Sequence, residues 1–243
     1  MTRGWRYAAW FLLLYGAALV INLPARLLVR FLPPPVQVTA VSGTVWSGNI
    51  GQLRWQTLSL NNVSWRWAWP GIRITAQGDA GRGGVTLGWT GAWRLSDGRW
   101  QTPLQAVMDL TGLPLPVGGG GDLVLTLDRM RVDAGGCRDL AATLTWQGAA
   151  LIAGEQRVAL GEPRAQFGCQ LRQLTFELRQ MRNAPLLTGQ GSFDAAGYRF
   201  SGRIGLPDAL PPLWRQMVEN ATRPGDNGQR ITEISGTWAL PRR

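Results

Sequence analysis

The chain has 243 residues, 45% hydrophobic and only 16% charged, against roughly 25% charged in an average soluble domain. Its formal net charge is +10, from 25 arginines and 15 acids, with no lysine and no histidine. Lacking histidine, it can build no Ser-His-Asp triad, no Cys-His pair and no imidazole metal site. Its two cysteines are too few for a four-cysteine zinc or iron–sulfur centre.

The first predicted element is a membrane helix. After Arg3, Trp5 and Arg6, an apolar run extends from Tyr7 to Ile21. Residues 7–23 as a helix span about 25 Å, slightly short of a bilayer core. The helix can run on to residue 32 before Pro33, Pro34 and Pro35 end it. Trp5 and Trp10 sit where an interfacial aromatic belt begins, and Arg3, Arg6, Arg26 and Arg30 are placed to reach phospholipid headgroups. A cleaved signal peptide is the rival reading, but no small-x-small cleavage site follows the run. The expectation is an uncleaved transmembrane signal anchor over 7–23, with residues 1–6 a cytoplasmic tail and the rest exported.

From Val36 onward the period is two. Val63, Trp65, Trp67 and Trp69 fall on one face of a strand, and Ser64, Arg66 and Ala68 on the other. The same alternation marks Ile72 to Ala76, Val85 to Trp89, Leu123 to Leu127, Leu140 to Trp146, Leu174 to Leu178 and Tyr198 to Gly202. Turn signals at Ser47-Gly48-Asn49, Pro70-Gly71, Asp97-Gly98 and Ala196-Gly197 separate them. The reading is mainly β: a curved antiparallel β-meander or sandwich of about a dozen strands, with much of its core made of tryptophan. One short C-terminal helix is expected near residues 211–220, with Pro211 or Pro212 in its first turn. The proline-glycine stretch from Pro114 to Gly121 divides the exported part into sub-domains 36–117 and 122–243.

Few residues suggest chemistry. Asp122, Asp128, Asp133 and Asp139 lack calcium-loop spacing and alternate with Arg129, Arg131 and Arg138, which reads as solvated strand ends. The arginines are dispersed, so nucleic acid is not an expected partner; anionic phospholipid near Arg3, Arg6, Arg26 and Arg30 is. Cys137 and Cys169 form one disulfide if the domain is exported, or two buried thiols if it is not. Trp65, Trp67 and Trp69 either fill a core or line a greasy trough.

The anchor followed by Leu23-Pro24-Ala25-Arg26, then Val41 to Gly48 (VSGTVWSG), Leu58-Ser59-Leu60, Val63 to Trp67 and the closing Ser235-Gly236-Thr237-Trp238 resembles the type II secretion system protein N family. The resemblance implies a single-pass bacterial inner-membrane accessory or assembly component of the secretion machine, with a β-rich periplasmic domain. Cys137 and Cys169 look like the family's cysteine pair. No catalytic, cofactor-binding or metal residue is carried over, and the implied partners are other inner-membrane secretion subunits and inner-membrane phospholipid. Edge strands offer partners a route in by β-augmentation. A second resemblance is to AsmA-type lipid carriers, in which Trp65, Trp67 and Trp69 would face an open hydrophobic groove.

Overall fold

The computed structural model of the chain describes residues 3–30, 35–55, 58–79, 81–111, 118–133, 135–153, 156–181, 187–194, 197–205, 212–225 and 229–237. The chain divides into two compact units, Met1–Ala80 and Gly81–Arg243.

The first unit begins with helix α1 (Arg3–Ile21) and the single turn α2 (Arg26–Val29). Four antiparallel strands follow in chain order: β1 (Val36–Gly43), β2 (Ser47–Trp55), β3 (Leu58–Ala68) and β4 (Gly71–Gly78). Val41, Ile50 and Val63 stand side by side across β1, β2 and β3, and Trp65 and Trp67 oppose Ile74 and Ile72 of β4. The period-two pattern thus becomes an apolar face. The expected anchor is revised on two points. No helix among the described residues is long and apolar enough to cross a membrane. The helix also does not run on to residue 32. Asn22 turns back to give its side-chain amide to the Ala18 carbonyl at 2.8 Å, and Pro24 leaves the helix to bridge Thr44.

The second unit carries β5 (Gly81–Trp89), β6 (Trp93–Pro103), helix α3 (Leu104–Thr111), β7 (Gly118–Asp133), β8 (Gly136–Ala153) and β9 (Gln156–Gln170). Then come β10 (Gln173–Met181), β11 (Leu187–Phe193), β12 (Gly197–Gly205), helix α4 (Pro212–Ala221), the two-residue β13 (Arg223–Pro224) and β14 (Gln229–Thr237). Neighbours follow chain order from β5 to β12, then β14 and β13. All described pairings are antiparallel.

The core differs from the tryptophan-rich one expected. The described buried apolar residues of this unit are Val124, Ala142, Ala149, Ala150, Leu160 and Ala165, and among the described residues no large side chain is fully buried. Small residues are what one sheet can cover by itself. Trp100 and Trp146 are instead half-buried, and Trp89 and Trp93 are exposed and meet edge to face at 4.7 Å. Turn chemistry also found other uses. Asp97, at φ +50°, and Gly98 form a bulge inside β6, and Ser47 to Asn49 start β2 rather than turning the chain. Gly118 to Gly121 open β7, where Gly119 leaves room for Leu104 and Met108 of α3. Residues 112–117, including Pro114 and Pro116, lie outside the described residues. The expected C-terminal helix is α4, whose last turn is capped by Arg230 of β14, donating to the Glu219 and Thr222 carbonyls at 2.9 Å.

Cys137 of β8 and Cys169 of β9 are joined in a disulfide, with Cα atoms 5.9 Å apart. Beside it, the Asp133 carboxyl accepts the Gly135 amide at 2.8 Å and pairs with Arg138. That amide bond, with the Arg138 guanidinium, holds Asp133 below its usual range. Asp139 pairs with Arg129 at 2.8 Å, and Asp122 accepts the Gln101 amide at 3.0 Å. Asp133 ends β7 and Asp139 lies near the start of β8, whereas Asp122 and Asp128 lie within β7, so the strand-end reading is corrected for those two. No metal-holding cluster occurs among the described residues.

A candidate site where the first helix meets the sheet

Residues 41–48 form a clasp on the end of α1. Val41 to Gly43 close β1, Thr44 to Trp46 turn, and Ser47 and Gly48 open β2. The turn holds itself closed, with the Thr44 amide on the Ser47 carbonyl at 2.8 Å and the Ser47 amide on the Thr44 hydroxyl at 3.2 Å. Its outer edge pairs with the segment leaving the helix. The Val45 amide donates to the Leu23 carbonyl at 2.9 Å, and Ala25 donates to the Gly43 carbonyl at 3.1 Å. Ala25 is buried at the contact, and a larger residue there would push the two segments apart.

Trp46 completes the clasp. Its indole N–H donates to the Val20 carbonyl at 2.8 Å, joining the Leu23 amide, which donates to the same oxygen at 3.3 Å. The ring meets Trp67 edge to face at 5.5 Å, and the Trp46 carbonyl takes the Trp67 amide at 2.8 Å. One pair back, the Trp65 indole donates to the Val45 carbonyl at 3.0 Å. Its ring covers Gly48, the residue directly opposite, where a Cβ would collide with the ring and the Ser42 carbonyl. Trp46→Phe keeps the ring contact and removes the bond to Val20. It is expected to destabilise the first unit by about 1 kcal/mol and to speed amide exchange at Asn22, Leu23 and Ala25, read by hydrogen–deuterium exchange of the full chain.

The other expected site residues are spread around this clasp. Trp65 is half-buried, Trp67 is 44% exposed and Trp69, beyond the end of β3, is 85% exposed. The three therefore make no uniform surface, because each step toward the hairpin tip has fewer neighbours. Trp5 and Trp10 are exposed on α1, along which Arg3 and Arg6 also fall; Arg26 lies on α2 and Arg30 just after it, both exposed.

The second unit has an apolar face of its own, on which the alternating residues of Leu174 to Leu178 and Tyr198 to Gly202 fall. Leu127, Ala142, Phe167 and Phe176 adjoin across β7 to β10, and the row continues through Gly191 and Phe200 to Ile234. Phe176 lies 5.9, 5.5 and 5.8 Å from the rings of Phe167, Phe193 and Phe200. Gly191 makes this possible, since a Cβ there would strike the Phe176 ring. The reverse face is polar, with Gln166, Glu177, Gln190, Ser201 and Glu233 adjoining.

The clasp and the one-sided strands lie within a segment, residues 34–232, that matches the family described as type II secretion system (T2SS), protein N. The chain belongs to the type II secretion system protein N family. It is 31% identical over 237 residues to the type II secretion system protein N of Pectobacterium carotovorum subsp. carotovorum, covering 92% of this chain and 93% of that one. It is 30% identical over 236 residues to the protein of the same name from Aeromonas hydrophila, covering 91% and 94%. The Klebsiella pneumoniae relative is 29% identical over 228 residues, 90% of each chain. No solved structure matches it.

Proposed function

We propose that this member of the protein N family is a non-enzymatic accessory component of the type II secretion machinery. It is held in the inner membrane by α1, with its amino terminus cytoplasmic and its β units in the periplasm. The observation that carries this reading is α1 itself. Tyr7, Trp10, Phe11, Leu12, Leu13 and Leu14 are exposed at successive positions around the helix, so apolar surface faces outward on every side. A helix apolar all round belongs in an apolar surrounding. A helix slightly short of a span is accommodated by local thinning of the bilayer and by flanking arginines that reach the headgroups. A Cys137–Cys169 disulfide suits an oxidising periplasm. The sheet would then meet the other inner-membrane secretion subunits.

The test is genetic and biochemical together. Deleting the gene should leave secretion substrates trapped in the periplasm. The full chain should restore secretion, and a chain lacking residues 3–21 should not. Full restoration by the shortened chain, or release of the full chain from membranes by alkaline carbonate, would contradict the anchor. A second reading, a lipid-holding hydrophobic surface, is supported by the half-buried Phe167, Phe176, Phe193 and Phe200 on a face that its own unit leaves partly open.

A further inference from the structure

The first unit carries its charge unevenly. Its 80 residues hold seven arginines and one acid, Asp79. Two of those arginines, Arg66 on β3 and Arg73 on β4, are directly opposite each other in register. Like charges so placed repel and weaken a sheet. Both side chains are exposed, and neither has an ion-pair partner among the described residues. They line a cleft of about 520 Å³ whose other polar side chains are neutral: Ser42, Ser47, Asn49, Ser64 and Thr75. Ser64 and Thr75 share a hydroxyl–hydroxyl bond of 2.7 Å on the cleft floor. The cleft therefore presents two fixed positive charges and hydroxyls, with no carboxylate, which is the chemistry of an anion site.

Its position says which anion. Ala68 pairs with Gly71 at the end of the β3–β4 hairpin, so the tip is Trp69-Pro70, and Trp69 is 85% exposed. The adjacent Trp67 is tied by its amide to Trp46, which in turn holds the Val20 carbonyl in the last turn of α1. The tip thus lies beside the end of the helix that would emerge from the bilayer. Exposed tryptophans with arginines just behind them are what the headgroup layer favours. We propose that the β3–β4 hairpin is a membrane-surface site for an anionic phospholipid, with the phosphate between Arg66 and Arg73 and with Trp67 and Trp69 among the headgroups. This rests on the reading of α1 as a membrane helix. The hairpin fixes the sheet's attitude to the bilayer, and the phosphate relieves the repulsion between the two arginines.

The test uses the full chain in phosphatidylcholine nanodiscs carrying increasing phosphatidylglycerol. Native mass spectrometry reads the lipid retained by the protein, and brominated lipid reads the quenching of Trp69 as the difference from Trp69→Phe. The expected result is selective retention of phosphatidylglycerol, weakened about thirtyfold in Arg66→Gln/Arg73→Gln, at about fivefold per arginine. Removing equal charge by Arg199→Gln/Arg203→Gln should leave retention unchanged, and by circular dichroism neither double variant should melt below the parent. No lipid preference, or equal loss in both double variants, would overturn the site. So would displacement of the lipid by inorganic phosphate without quenching of Trp69, or protection of the hairpin by a protein subunit alone. Release of the chain by alkaline carbonate, with phosphatidylglycerol retention still dependent on Arg66 and Arg73, would defeat the anchor reading and leave the lipid site standing.

Discussion

Replacing Cys137 and Cys169 together by serine is expected to lower the stability of the second unit by about 4 kcal/mol, through the entropy that the open chain regains. The cross-link closes a sequence separation of 32 residues. It ties the start of β8 to the end of β9, next to pairs that join Val132 to Cys137 and Cys169 to Leu174. A domain with a large packed core could absorb that loss. This unit, with no large side chain fully buried among the described residues, has less in reserve. The check is guanidinium unfolding of the full chain in mild detergent, followed by tryptophan fluorescence, for the parent, the double serine chain and the reduced parent. Coincidence of the three curves would show that the disulfide contributes nothing to folding.

Phe176→Ala is expected to cost about 3 kcal/mol, because one truncation removes three ring contacts and a half-buried aromatic surface. Phe176→Leu, which keeps most of the volume, should cost about 1 kcal/mol. The pair also separates two roles for this face. If the phenylalanines are structural packing, stability falls in that order and lipid retention does not change in the folded fraction. If the face holds acyl chains, Phe176→Leu remains folded while lipid bound to the second unit falls. Equal stability of parent and alanine chains would mean that the aromatic row packs against nothing.

The sequence made the strands legible because a period of two survives wherever one face is apolar. Val63 to Trp67 and Leu174 to Leu178 lie within β3 and β10 as expected. Length was less legible: β8 runs for 18 residues, because its bulges let a strand continue through places that look like breaks. Asp97-Gly98 shows why turn signals misled, since positive φ serves a bulge as well as a hairpin. Helix α3 was missed although Leu104, Gln105, Ala106 and Met108 suit a helix, because its eight residues lie in a stretch already read as β. At the candidate site, VSGTVWSG stood out by resemblance alone. That Gly48 lies under Trp65, and that Trp46 reaches Val20, requires the register of β2 on β3 and a 26-residue separation that no local pattern carries. The facing arginines were equally hidden, because Arg66 and Arg73 become neighbours only once the hairpin is closed.

Gentle purification of the tagged full chain from its own membranes, followed by mass spectrometry of all that accompanies it, bears most directly on its place in the secretion machine. Stoichiometric recovery of other inner-membrane type II secretion subunits is the predicted result, with lipid limited to what the anchor and the β3–β4 hairpin hold. Recovery of the chain without any secretion subunit, carrying several phospholipids that persist after residues 1–32 are cut away, would contradict it. The sheet would then be a container for lipid rather than a part of the machine.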